Sequence, residues 1–295
     1  MLQSLKEKIK SLAEQGGLTS YWRSLSQHQQ RWVSALVMIA FFSFFVWTGG
    51  FLFSLMVMVI SLVAYREWLG LVQSGWSPMV EYTAYIGMGV ALVCSIFHGF
   101  DLSVFILFLT FIAQMALAFL NSDKENNEAA PFWIAAGVLY IGLPALTIVW
   151  LRHEAWIALD KPQATMMLIL FVIVWSTDSF AYWVGKRFGK TKLAPTISPG
   201  KTREGLFGGM AGAALIAVTI AGIMQLPYWP LYALLGGFIA VVAQAGDLFE
   251  SWLKRRAGVK DSGQLIPGHG GILDRIDGLL AAAPIFALLI KPFIL

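Results

Sequence analysis

Cysteine is all but missing from this chain: Cys94 stands alone, inside an apolar run. One thiol excludes an intramolecular disulfide and a cysteine-rich zinc site, and leaves Cys94 the part of a small core residue. Charge is scarce as well. Asp, Glu, Lys and Arg make up 13% of the 295 residues while 58% are hydrophobic, and a soluble domain carries about 25% charged residues. That shortage excludes an ordinary water-soluble globule. No internal repeat, low-complexity tract or linker divides the chain. The GxxxxGK[ST] spacing of a phosphate-binding loop is absent, as is any evident Ser-His-Asp triad. Residues 1–31 are polar, and the first apolar run leads into further runs rather than a cleavage site, so no secretory signal is read.

What the chain does have is apolar length. Stretches near 33–48, 50–66, 82–99, 102–120, 131–151, 166–185, 205–225, 228–246 and 278–295 approach the ~20 residues that cross a hydrocarbon core. The predicted fold class is all-α: a polytopic transmembrane helical bundle of about nine spans with cytoplasmic active-site loops. Residues 1–31 form an N-terminal extension and 32–295 a single membrane domain. The first two runs are parted only by Thr48-Gly49-Gly50, and the last carries Pro284 and Lys291. Within the extension, Leu2, Leu5, Ile9 and Leu12 share one helical face with Lys6, Lys8 and Lys10 elsewhere. That pattern suits a helix on an anionic membrane surface, with a partly ordered extension as the alternative. Tyr21, Trp22 and Trp32 suit interfacial anchors. Of the 21 lysines and arginines, all but Arg152, Lys161 and Lys291 fall on the N-terminal side of the alternating loops. The positive-inside rule makes that side the cytoplasm.

Two polar segments on that side stand apart, 175–205 and 246–278, and two crossings between them bring the chain back to the same face. Asp178 lies inside the sixth apolar run, where a carboxylate is expensive unless it lines a polar cavity; the plainer alternative is a residue at the span's end. Asp247 closes the eighth run, and Asp274 and Asp277 open the ninth as i, i+3 neighbours on one helical face. Asp247, Asp274 and Asp277 read as a Mg²⁺ site completed by a polyphosphate, or equally as acids salt-bridged to Arg275 or Lys254. The basic residues are Lys186, Arg187, Lys190, Lys192, Lys201 and Arg203 in the first segment and Lys254, Arg255, Arg256, Lys260 and Arg275 in the second. Each group alone is an ordinary topology signal. Facing one another around acids, they suit a substrate with several phosphates. Pro267-Gly268-His269-Gly270-Gly271 can present successive N–H groups as an anion-binding nest, and His269 either contacts phosphate or metal or braces the turn.

The second segment closely resembles the signature of the phosphatidate cytidylyltransferase (CDP-diacylglycerol synthase) family. Ser251, Lys254, Arg255, Lys260, Asp261, Pro267, His269, Gly270, Gly271, Asp274, Arg275 and Asp277 carry it without departure. The first is similar to the family's second conserved region through Asp178, Gly185, Lys186, Ser198-Pro199, Lys201-Thr202 and Glu204-Gly205, with Gly200 where a basic residue is common. The resemblance implies a metal-dependent enzyme of the bacterial inner membrane. It would transfer CMP from CTP to phosphatidic acid, giving CDP-diacylglycerol and pyrophosphate. It further implies a homodimer, Mg²⁺ with a second cation left open, membrane lipid as surroundings and no nucleic-acid partner. Carried over residue by residue, Asp247, Asp274, Asp277, Lys254 and Lys260 are the catalytic candidates, and the same three acids the metal ligands. Asp178, Lys186, Ser198, Lys201, Thr202, Glu204, Ser251, Arg255, Asp261, His269, Gly270, Gly271 and Arg275 are the candidates for binding substrate or phosphate. The alternatives are a CTP-dependent polyprenol- or phytol-type lipid kinase and an anion transporter. The transporter would call for paired repeats and mid-membrane helix breaks.

Overall fold

In a bilayer the backbone N–H and C=O groups have no water to bond, so apolar runs of this length must satisfy them internally as helices. The computed structural model describes residues 27–72, 78–97, 99–120, 130–153, 164–266 and 270–294. Among these, each predicted run lies in a helix: α1 (Gln27–Thr48), α2 (Gly50–Val72), α3 (Pro78–Phe97), α4 (Phe100–Leu120), α5 (Ala130–His153), α6 (Thr165–Phe188), α7 (Arg203–Ile223), α8 (Tyr232–Arg256) and α9 (Leu273–Ile294). The only sheet among the described residues is a hairpin of β1 (Lys192–Ala194) and β2 (Ser198–Thr202) between α6 and α7. The amphipathic stretch at 2–12, with Tyr21 and Trp22, lies outside the described residues, as do Pro267, Gly268 and His269.

The architecture is that of a multi-pass membrane protein, with a difference in the count. Among the described residues, seven helices, α2 to α8, are long and apolar enough to cross a membrane; the expected count of about nine includes α1 and α9 as well. In α1 the described apolar part is Leu36–Thr48, and the helix opens on Gln, His, Gln, Gln and Arg. In α9 the polar residues Asp274, Arg275, Asp277 and Lys291 interrupt the apolar pattern. The eighth run also proves longer than predicted at its polar end. A 3₁₀ turn at Trp229–Leu231 precedes α8, which then runs on through Asp247 to Arg256. Half of the expected second loop is therefore helix.

Lipid tails are as apolar as leucine, so helices associate in a bilayer by close packing rather than by the hydrophobic effect. Small residues make that possible here. α7 packs along α6 and α8, and its glycines sit almost on their neighbours. A Cβ on Gly205 would lie 2.8 Å from the Ala181 carbonyl oxygen, and one on Gly209 2.9 Å from that of Thr177. On α8, a Cβ at Gly236 would meet the Ala213 carbonyl oxygen at 2.7 Å, and one at Gly246 the Asp277 carbonyl oxygen at 2.8 Å. α2, α5 and α8 are braced differently, by an aromatic cluster of Trp68, Trp133, Tyr140, Phe249 and Trp252. Trp68 is 1% exposed, and its indole N–H donates to the Trp133 carbonyl at 2.8 Å. At the other end of α2, Gly49 and Gly50 take positive φ values of 60° and 53°. There Arg152 donates through Nε and Nη2 to the Val46 carbonyl oxygen at 3.1 and 2.9 Å.

Gly209→Val should force α6 and α7 apart. Overpacking of this kind costs about 1–3 kcal/mol, so the melting temperature in detergent should fall by several degrees, while a valine at Gly200, whose Cβ meets nothing within 4 Å, should leave it in place.

Candidate active site

The two polar segments do meet. The hairpin pairs Lys192 with Thr202 and Ala194 with Ser198. It is held shut by Glu204, whose carboxylate accepts the N–H groups of Lys190 at 3.1 Å and Thr191 at 3.2 Å. Thr202 caps α7, its Oγ1 accepting the Gly205 N–H at 3.1 Å, in the manner of an N-cap side chain that takes up one of the helix's orphan donors. Thus two of the predicted substrate-binding residues, Thr202 and Glu204, shape the hairpin. The hairpin in turn presents Lys201, whose Nζ stands 2.6 Å from Asp247 Oδ2 on α8. Arg255, also on α8, donates through Nε to the Ile197 carbonyl at 3.3 Å and through Nη1 to that of Val259 at 3.2 Å.

On α8 the chemistry-bearing residues share a face at helical spacing. Asp247 Oδ1 accepts from Ser251 Oγ at 3.3 Å, and one turn further Lys254 points into the bundle. Its ammonium lies 3.1 Å from Glu250 Oε1 and 2.6 Å from Asp274 Oδ1. Glu250 is 0% exposed, and Lys254 is the cation that compensates it. The salt-bridged alternative of the sequence analysis is therefore what the structure contains at Asp274.

The other oxygen of Asp274 organises the glycine turn. Oδ2 accepts the N–H of Ser262 at 2.9 Å, the hydroxyl of Ser262 at 2.9 Å and the N–H of Gly271 at 2.8 Å. Gly270 has φ +83°, and a Cβ there would come within 2.8 Å of Asp274 Oδ2. Of the turn predicted as a nest, the Gly271 N–H binds an anion, and that anion is the protein's own Asp274. Burial alone would raise the Asp274 carboxyl, but Lys254 and the N–H groups of Gly271 and Ser262 outweigh it and hold it below its ordinary value.

A second acid in this network, Glu67 near the end of α2, was not anticipated. Its carboxylate accepts the N–H of Ile272 at 3.0 Å, the N–H of Leu273 at 2.8 Å and sits 3.1 Å from Ser262 Oγ. Glu250 was missed too. Part of the signal was present: Glu67 follows the second apolar run beside Arg66, and Glu250 sits between Phe249 and Ser251 just past the eighth.

Among the remaining candidates, Asp178 Oδ1 accepts from Gln244 Nε2 at 3.2 Å. Asp277 Oδ1 accepts the Gly278 N–H at 2.7 Å. Asp247 lies near enough to both to repel their charge. Lys186 lies 5.6 Å from the centre of the Tyr182 ring. Lys186, Lys260, Asp261 and Arg275 are exposed, and Ser198 is half-buried in β2.

No three His, Cys, Asp or Glu side chains among the described residues form a ready-made metal cage. The donor chemistry nonetheless fits a hard divalent cation. Asp178, Asp247 and Asp277 are within electrostatic reach of one another, and Lys201 is their one ion-paired partner among the described residues. Mg²⁺ needs only one or two such carboxylates, the rest of its shell coming from phosphate oxygens and water.

Residues 29–293 match the cytidylyltransferase family. The chain belongs to that family. Compared with curated proteins, this cytidylyltransferase is 37% identical over 271 residues to the phosphatidate cytidylyltransferase of Brucella abortus biovar 1 (strain 9-941), covering 90% of this chain and 93% of the relative. It is 38% identical over 270 residues to that of Pseudomonas aeruginosa, covering 89% and 96%. To that of Synechocystis sp. it is 34% identical over 289 residues, covering 89% and 97%.

For the cytidylyltransferase, Lys254→Met should leave Glu250 buried without its cation. Breaking a buried pair in this way costs about 3–5 kcal/mol, which thermal unfolding in detergent would register. Adding Glu250→Gln to that variant should restore most of the loss. The Asp274 contribution has a pH sign of its own. Its folded value lies below the unfolded ~3.9, so its stabilisation is complete above about pH 4 and is lost as pH falls through the folded value. Asp274→Asn should flatten that acid limb of the melting curve.

Proposed function

We propose that this cytidylyltransferase transfers CMP from CTP to phosphatidic acid, producing CDP-diacylglycerol and pyrophosphate for phospholipid biosynthesis. One observation carries the reading. Lys201 and Lys254, each ion-paired to an acid, converge from the hairpin and α8 in a membrane chain that matches phosphatidate cytidylyltransferases over nine-tenths of its length.

A phosphate monoester has its second pKa near 6, so the lipid phosphate is already largely anionic and needs no strong base. Its oxygen attacks the α-phosphorus of CTP, the bond from that phosphorus to the bridging oxygen breaks, and pyrophosphate departs with the electron pair. The difficulty is repulsion between two polyanions. Lys201, Lys254, Arg255 and Lys260 offset that charge, with Lys186 and Arg275 as further cations at the rim. Lys201 and Lys254 do so from fixed positions, because their acid partners hold them before substrate arrives; pre-set charges need little reorganisation during reaction. Asp247 and Asp277 are the proposed holders of Mg²⁺, which when bound would draw charge from the phosphate oxygens, while Asp274, the third acid of the predicted set, is engaged by Lys254, Ser262 and Gly271. Asp178 stands beside them as a further acid. The proposed setting is a bacterial inner membrane, with the site on the cytoplasmic side, where the basic residues concentrate, and with the chain as a homodimer.

Purified protein in detergent, given radiolabelled CTP and phosphatidic acid, should make organic-extractable labelled lipid and pyrophosphate in Mg²⁺. EDTA should abolish both. Asp277→Asn should lower kcat on the order of 10²-fold or more, the usual scale for removing a key electrostatic group. CDP in place of pyrophosphate would instead identify a lipid kinase.

A further inference from the structure

We infer that Glu67, an acid of transmembrane helix α2, is a positioning residue of the active site. It pins the glycine turn and the start of α9, so that Asp274 can hold Lys254. The inference rests on the function proposed above and assigns to that site a residue from outside both polar segments.

The geometry is specific. Glu67 reaches the Ile272 and Leu273 N–H groups from 205 and 206 residues away in the chain. These are among the first N–H groups of α9, which have no partner within the helix. Ser262 links the two acids of the turn: its single hydroxyl proton faces Asp274 Oδ2 at 2.9 Å and Glu67 Oε2 at 3.1 Å. The route from α2 to the catalytic lysine is therefore short. Glu67 orients Ser262 and Leu273, these orient Asp274, and Asp274 Oδ1 holds Lys254 Nζ at 2.6 Å.

Two glycines make room for this carboxylate. A Cβ on Gly263 would lie 2.5 Å from Glu67 Oε1, and one on Gly271 2.5 Å from Glu67 Oε2. Gly263 has no positive φ, so its small size here serves the space that the acid occupies rather than a backbone conformation. Next to Glu67, buried Trp68 is anchored to the Trp133 carbonyl, which fixes the end of α2 from which the acid extends. A surface ion pair would have none of this support. Glu67 accepts two backbone N–H groups and shares the Ser262 hydroxyl with Asp274, without a lysine or arginine beside it in the salt bridges of the described residues.

Glu67→Gln keeps the size of the side chain but sets an amide N–H₂ against N–H donors. Two measurements decide the matter: steady-state kinetics with CTP and phosphatidic acid, and hydrogen exchange of the 262–273 segment in detergent. A kcat loss of about tenfold or more, with KM for phosphatidic acid within twofold and faster exchange confined to that segment, is the expected result. Wild-type kcat together with wild-type exchange would overturn the inference. Should Glu67→Gln unfold the whole protein, Gly263→Ala decides, because the three atoms nearest its Cβ all belong to the Glu67 side chain: a graded kcat loss supports the inference and unchanged kcat overturns it. If the wild-type protein makes no labelled lipid, the functional reading fails on its own, and exchange at Ile272 and Leu273 still tests whether Glu67 holds the turn.

Discussion

The Lys254 ammonium, 3.1 Å from Glu250 and 2.6 Å from Asp274, has no alternative to these partners in the interior of a membrane bundle. An isolated charge moved out of water costs several kcal/mol even after relaxation, so either acid without its cation, or the cation without its acids, would be intolerable. The position of Lys254 therefore inherits every constraint on Asp274. That carboxylate is fixed by Ser262 and Gly271, and Glu67 in turn meets Ser262 and holds Ile272 and Leu273, the residues that follow Gly271. A chain of short polar contacts runs from α2 through the glycine turn to α8, and an aromatic cluster of α2, α5 and α8 braces two of the same helices.

Close packing of small residues does the complementary work on the other side of the site. In lipid there is little gain from burying one apolar surface on another, so contact must come from backbone approach. Glycines of α7 against α6, and Gly246 of α8 against α9, bring together helices whose acids lie at one depth: Asp178 on α6, Asp247 on α8 and Asp277 on α9. Their mutual repulsion is the energetic cost of that convergence. Lys201, delivered by the hairpin, offsets part of it, and a substrate carrying phosphates with a divalent cation would offset the remainder. The same hairpin is closed by Glu204 and capped by Thr202, so two polar residues of the first segment act through geometry, setting where Lys201 arrives.

Much of the protein was legible beforehand. All nine apolar runs lie in helices because backbone bonding in lipid permits nothing else. Asp178 and Asp247 stood out because a carboxylate in or at the end of an apolar run is costly, Asp274 because it pairs with Asp277 at i, i+3, and Lys254 as part of a basic stretch facing these acids. Among the described residues seven of these helices, α2 to α8, are long and apolar enough to cross a membrane, while α1 and α9 carry polar residues in their first turns. The extent of α8 was less legible: GDLFESWLKRR reads as loop by its charge, yet Glu250–Lys254 and Asp247–Ser251 pair at i, i+4, which keeps the polar sequence helical.

Amino-acid order by itself determined the membrane class, the one-sided charge and the family signature, because each is a property of composition and local spacing. Only the tertiary structure decided which acid serves which base. Asp274 turned out to hold a lysine 20 residues before it and a turn of glycines beside it, while Glu67 holds N–H groups more than 200 residues on. Periodicity carries no record of such pairs. They exist because buried charges and orphan helix donors must find partners wherever packing brings them, and packing is settled by all the helices together.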